Sequence, residues 1–239
     1  MTLTKVILLV VLCFSSFFRK GVGAFSLSSR SNAMSRGRPQ RSASRLEAAA
    51  ASSTSTTTTP TNCDEAVCRV LELARQFGPI GSLQSPEDQE RLLTIARELS
   101  VYSDPQPARK KFQQGQPPHC LIYSNSQGGS SGLMFGKVYG KVTQTFNNET
   151  CLINAVEWGP VRLSLSADLT VKDDWNTKVN FRLTTVRLFG QTLLEKAIQG
   201  AGIWKYLFAG VVRDNQWKQR LVRIIETPSL FILTQDLDD

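Results

Sequence analysis

Apolar residues recur along this chain with two different periods, and the change from one to the other divides it. In residues 65–77, Val67, Val70, Leu71 and Ala74 fall at i, i+3, i+4 and i+7, the single stripe of an amphipathic helix. Asn62 or Asp64 can cap its start, and Gly78-Pro79 ends it. Ser85-Pro86-Glu87-Asp88 opens a second helix, with a serine N-cap, a proline at the first helical position and acids at the positive end of the dipole. Leu92, Ile95, Ala96 and Leu99 repeat the stripe, and Asp104-Pro105-Gln106-Pro107 closes it.

Beyond residue 120 the period is 2. In residues 161–171, Val161, Leu163, Leu165, Ala167, Leu169 and Val171 point one way, and Arg162, Ser164, Ser166, Asp168 and Thr170 the other. That alternation predicts a half-buried strand long enough to wrap a barrel. Turn chemistry flanks it, Gly159-Pro160 before and Asp173-Asp174-Trp175-Asn176 after. In residues 178–188, Val179, Phe181 and Leu183 share a face. The phase then slips at Thr184-Thr185, so that Val186 and Leu188 become the apolar positions, and a β-bulge is expected there.

Further strands are predicted at 120–124, 133–135, 138–146, 151–158, 218–225 and 230–235, the last two joined by Thr227-Pro228-Ser229. A short helix is expected near 192–199. The fold class this predicts is mainly β: about eight antiparallel strands preceded by two α-helices, as a barrel or a sandwich. Neighbour-to-neighbour connections favour the up-and-down barrel.

The N-terminal quarter follows neither period. Residues 6–18 (VILLVVLCFSSFF) form an apolar run of about 20 Å if helical, short of the roughly 30 Å of bilayer hydrocarbon. With Val22-Gly23-Ala24 behind it, the run reads as a signal peptide over residues 1–24; a membrane anchor is the alternative. Residues 26–46 hold five arginines, seven serines and no acid, the composition of a transit peptide. Gly23-Ala24-Phe25 resembles the junction of the bipartite leaders of algal plastids bounded by extra membranes; a secreted protein with a basic N-terminus is the bland alternative. Residues 48–62 (AAAASSTSTTTTPTN) are low-complexity and nearly uncharged, so residues 25–62 read as transit peptide and disordered linker. Residues 63–239 remain as one domain.

Charge and cysteine narrow the function classes. The chain of 239 residues has 28 basic and 20 acidic residues, a net of +8. Residues 1–62 hold eight of the bases and one acid, leaving 20 bases and 19 acids, a net of +1, on the domain. Strong nucleic-acid binding takes roughly 6–10 phosphate contacts, so no nucleic-acid partner is expected. Cys63, Cys68, Cys120 and Cys151 lack paired CxxC spacing, and His119 is the sole histidine. No metal site and no cofactor are expected. The cysteines are expected as small thiols in a reducing compartment, with Cys63–Cys68 or Cys120–Cys151 as the disulfide alternatives. The sequence has no P-loop or dinucleotide fingerprint. His119 and Cys120 are neighbours on a strand and face opposite ways, so they make no nucleophile–base pair. Asn148-Glu149-Thr150 is a glycosylation sequon of a kind common by chance.

The order of motifs resembles the plastid lipid-associated protein family, the fibrillins of plastoglobules and thylakoids. The helical lead is similar over residues 67–99. Cys120-Leu121-Ile122-Tyr123-Ser124, Gly140-Lys141-Val142-Thr143-Gln144-Thr145-Phe146 and Leu152-Ile153-Asn154-Ala155-Val156 resemble successive family strands. Gly202-Ile203-Trp204 with Tyr206-Leu207 resembles a late element, and Arg220-Leu221-Val222-Arg223 with Leu230-Phe231-Ile232-Leu233-Thr234 the closing hairpin. Family members carry acids after Tyr-Leu where Phe208-Ala209-Gly210 stands here, and residues 211–217 look like extra length.

The resemblance implies a lipocalin-like β-barrel, without catalytic residues, that binds a prenyl lipid, a plastoquinone-like quinone or a carotenoid. It also implies peripheral contact with plastid lipid surfaces, at plastoglobules or thylakoid membranes. Phe146, Trp158, Leu163, Leu165, Phe181 and Trp204 are the expected ligand-binding wall. An eight-stranded barrel holds one small ligand. Burying about 300 Å² of prenyl chain at ~25 cal/mol/Å² yields roughly 7 kcal/mol before binding costs, against about 8 kcal/mol for micromolar affinity. Polar contacts to a head group therefore matter. The alternatives are an isomerase or de-epoxidase type of enzyme, with Asp168 and Arg162 as the ionisable pair to line a cavity, and a structural or assembly protein with a solid barrel.

Overall fold

A computed structural model describes residues 62–109, 116–126, 131–134, 138–213 and 218–237. The expected signal and transit peptides, nearly all of the linker, Phe135 and residues 214–217 of the extra length lie outside the described residues.

Helix α1 (Cys63–Phe77) starts at Asn62, whose side chain accepts from the Glu65 amide at 2.8 Å. It ends at Gly78, whose φ of 75° a side chain would oppose. Helix α2 (Pro86–Glu98) is capped by Ser85, which accepts from the Asp88 amide. The capping residues read from sequence thus hold both starts.

The strands follow in chain order: β1 (His119–Ser124), β2 (Leu133–Met134), β3 (Val138–Tyr139), β4 (Lys141–Asn148), β5 (Cys151–Trp158), β6 (Val161–Val171), β7 (Asn176–Leu188), β8 (Gln191–Arg213), β9 (Gln219–Glu226) and β10 (Leu230–Asp236). Eight of them close an antiparallel barrel in the order β1-β10-β9-β8-β7-β6-β5-β4, and β2 pairs with β3 alone. From β4 to β10 each strand pairs with the next, as the short connections predict.

Two expectations need correction. Residues 192–199 are not helical; they begin β8. Leu, Glu, Lys, Ala and Gln there favour a helix locally. The tight Phe189-Gly190 turn, with both residues at positive φ, instead lays Gln191 opposite Leu188, and pairing with β7 overrides propensity. The bulge in β7 also falls earlier than expected. Ala167 pairs with Phe181 and Ser166 with Leu183, so the extra residue is Arg182. Leu183 therefore stands on the outer face, opposite Ser166, and Thr184 turns inward.

Alternation sorts the apolar side chains into two clusters. One lines the barrel interior with Leu121, Val142, Phe146, Leu152, Val156, Trp158, Val179, Val186, Leu221, Ile225 and Leu233. The other lies outside it, where Val222, Ile224, Leu230 and Ile232 of β9 and β10 meet Val67, Val70, Leu71, Leu92 and Ala96 of the helices. At one end of the barrel, the turn Pro107–Arg109 places Ala108 in the interior cluster, its amide donating to Asp174 O at 2.9 Å.

Candidate functional site

The six expected wall residues all belong to the inner face. Phe146, Trp158 and Trp204 are buried in the interior cluster, and Leu163 and Phe181 pack against it half-buried. Leu165 shares their side of β6 by alternation and pairs with Thr184. The Trp158 indole donates to Gly132 O at 3.0 Å, so its polar edge holds the segment leading into β2. Val161, Leu169, Leu194 and Phe231 are also inward and only half-buried.

The register adds a feature that alternation alone does not reveal. His119 pairs with Gln144, Gln144 with Asn154, Asn154 with Leu165, and Leu165 with Thr184. Cys120 pairs with Thr234, which brings Gln235 beside His119. Directly paired residues in a sheet share a face. One row across seven strands is therefore Gln235, His119, Gln144, Asn154, Leu165, Thr184 and Lys196, polar at six of seven places. The rows on either side are apolar: Leu233, Leu121, Val142, Val156, Leu163 and Val186 on one, Phe146, Leu152, Ala167 and Phe181 on the other.

Arg223 lies in the row beside Leu233 and is fully buried. It is inward because β9 alternates Leu221, Arg223 and Ile225 toward the lumen while Val222 and Ile224 face the helices. Its Nη1 donates to Gln144 Oε1 at 3.0 Å and its Nη2 to the Tyr206 hydroxyl at 3.1 Å. The strands β10 and β1 separate β9 from β4, so this side chain reaches across the interior. The guanidinium lies 4.9 Å from the Phe146 ring centre, 5.6 Å from Tyr206 and 5.8 Å from Trp204. A delocalised, weakly hydrated cation is the one best suited to such a setting.

His119 is 1% exposed and meets the Phe146 ring edge-on at 5.6 Å. Burial, and secondly the charge of Arg223, push its pKa down to about 3, so the imidazole is neutral near pH 7. Elsewhere in the lumen, Asn154 Oδ1, Thr177 Oγ1, Thr184 Oγ1 and both polar atoms of Gln235 are buried with no hydrogen-bond partner in the protein. Each such atom costs about 1–3 kcal/mol if nothing meets it.

The ionisable pair weighed for an enzymatic barrel faces away. Asp168 pairs with Arg182, and Arg162 with Glu157 at 3.2 Å, all on the outer face of the sheet. Asp173 accepts from the amides of Trp175 and Asn176 at 2.8 Å and is the turn residue the sequence suggests. Cys63, Cys68, Cys120 and Cys151 are free thiols. The described residues hold no cluster of His, Cys, Asp and Glu fit for a metal.

Sequence reasoning named the apolar wall and missed the polar row. Arg223 had a signal: it sits in phase with Leu221 and Ile225, where an apolar residue belongs. Asn154 and Gln144 were read only as parts of family-like strands. No protein-family model, curated protein or solved structure matches the chain.

Proposed function

We propose that this chain binds a prenyl lipid, quinone or carotenoid inside its barrel, without chemistry, and works at plastoglobule or thylakoid surfaces after its leader is removed. One observation carries the reading. Apolar side chains that point inward, Val161, Leu163, Leu165, Leu169, Phe181 and Leu194, stay half-buried, whereas a barrel packed solid by its own side chains would bury them. The leader composition and the resemblance to plastid lipid-associated proteins support the compartment and the ligand class.

The test is equilibrium dialysis of the full chain against a decyl-substituted benzoquinone, its hydroquinone and a carotenoid, with thermal unfolding in parallel. Saturable binding near micromolar is expected. Ligand at 100 times its dissociation constant would add about 2.7 kcal/mol of stability. Leu163→Trp, which enlarges a half-buried wall residue, should abolish binding and leave a cooperative melt. Absence of saturable binding by every ligand, with an unmoved melting temperature, would overturn the proposal.

A further inference from the structure

We infer that the polar row of the lumen selects a neutral ring head group that both donates and accepts hydrogen bonds, a phenol or hydroquinone, over the quinone of the same skeleton. The inference rests on the lipid-binding reading above and adds the head-group chemistry to it.

The row leaves several buried polar atoms without a partner. Gln235 is 2% exposed, and both its oxygen and its nitrogen want a partner. Whichever way that amide is turned, its oxygen needs a donor and its NH2 an acceptor. Asn154 Oδ1 needs a donor as well, and the hydroxyl of Thr184, 1% exposed, can serve as either. A quinone brings acceptors alone and leaves the amide oxygens unmet. A hydroxyl on an aromatic ring brings a donor and an acceptor in one atom.

His119 in this row is neutral at physiological pH, so the cations of the belt are Arg223, buried in the lumen, and Lys196, which continues the row from Thr184. The two terminal nitrogens of Arg223 are directed at Gln144 and Tyr206. The apolar rows on both sides of the belt suit a ring and its hydrocarbon tail. A site built to hydrogen-bond a hydroxyl rejects the analogue lacking it strongly, because buried polar groups are then left unpaired.

The decisive experiment measures dissociation constants under argon for a decyl hydroquinone and its benzoquinone, on the full chain and on Gln235→Leu, Asn154→Leu and Thr184→Val. The hydroquinone should bind at least tenfold more tightly than the quinone. Gln235→Leu and Asn154→Leu should each reduce that preference to about threefold or less while raising the melting temperature of the unliganded protein. A residue with a purely structural role would lower it. Thr184→Val, nearly isosteric, keeps the test intact if the larger changes disturb folding, and should weaken hydroquinone alone. Equal affinity for the two redox forms, or an unchanged preference in all three variants, would overturn the head-group inference while leaving lipid binding in place. Failure of every ligand to bind the parent chain would overturn both.

Discussion

His119 is a buried base that stays neutral when the chain is folded. Its pKa falls from 6.5 to about 3 through burial and then through Arg223. The unfolded chain therefore takes up a proton between pH 6.5 and 3 that the folded chain refuses. Stability from this residue is complete above pH 6.5 and is lost as pH falls toward 3. Between pH 7 and pH 5 the loss should be about 2 kcal/mol. Among the described residues, Arg223, Gln144, Gln235 and Phe146 stand beside His119. Denaturant melts of His119→Phe should lack this component, and a parallel decline in that variant would refute the assignment. Gly140 makes a second residue-scale case. A Cβ there would lie 2.6 Å from Trp158 Nε1 and 2.7 Å from Glu157 O. Gly140→Ala should cost about 1–3 kcal/mol, read from the urea midpoint. Gly200→Ala, whose Cβ would meet only Phe181 at 3.4 Å, should cost less.

At the scale of elements, the β7–β8 hairpin is the conspicuous one. Phe189 heads its two-residue turn at φ 49° with 75% of its surface exposed, so it bears backbone strain without burial in return. Asn-Gly suits such a turn best. Phe189→Asn should therefore raise stability by about 1 kcal/mol in a thermal melt. A loss instead would mean that the ring makes a contact worth more than the strain. The same hairpin shows why 192–199 was misread. Helix propensity is a local quantity of a few tenths of a kcal/mol per residue, and Gln191 to Lys205 pair with β7 along their whole length. Beyond Lys205 the strand changes neighbours and pairs with β9. The bulge was foreseen as a break in phase, but its place at Arg182 depends on how β6 and β8 lie on either side.

For the whole molecule, the helices and the barrel share one outer cluster, with Leu71 and Leu92 against Ile224 and Ile232. They should unfold together. Leu71→Ala should cost about 2–5 kcal/mol, with coincident transitions by far-ultraviolet circular dichroism and by tryptophan fluorescence, to which Trp158 and Trp204 of the interior cluster contribute together with Trp175 and Trp217. An early loss of helix with tryptophan signals unchanged would show that the barrel stands alone.

Sequence by itself determined the local grammar: the helix caps at Asn62 and Ser85, the faces of β6, the hairpin at Thr227-Pro228-Ser229, and the inward set of Phe146, Trp158, Leu163, Leu165, Phe181 and Trp204. Periodicity carries that information because each residue's face depends only on its near neighbours. Tertiary structure alone decided which inward residues stand side by side. His119, Gln144, Asn154, Thr184 and Gln235 come from five strands spread over more than a hundred positions, and no local pattern joins them. Closure of the barrel sets their register, and with it the polar row.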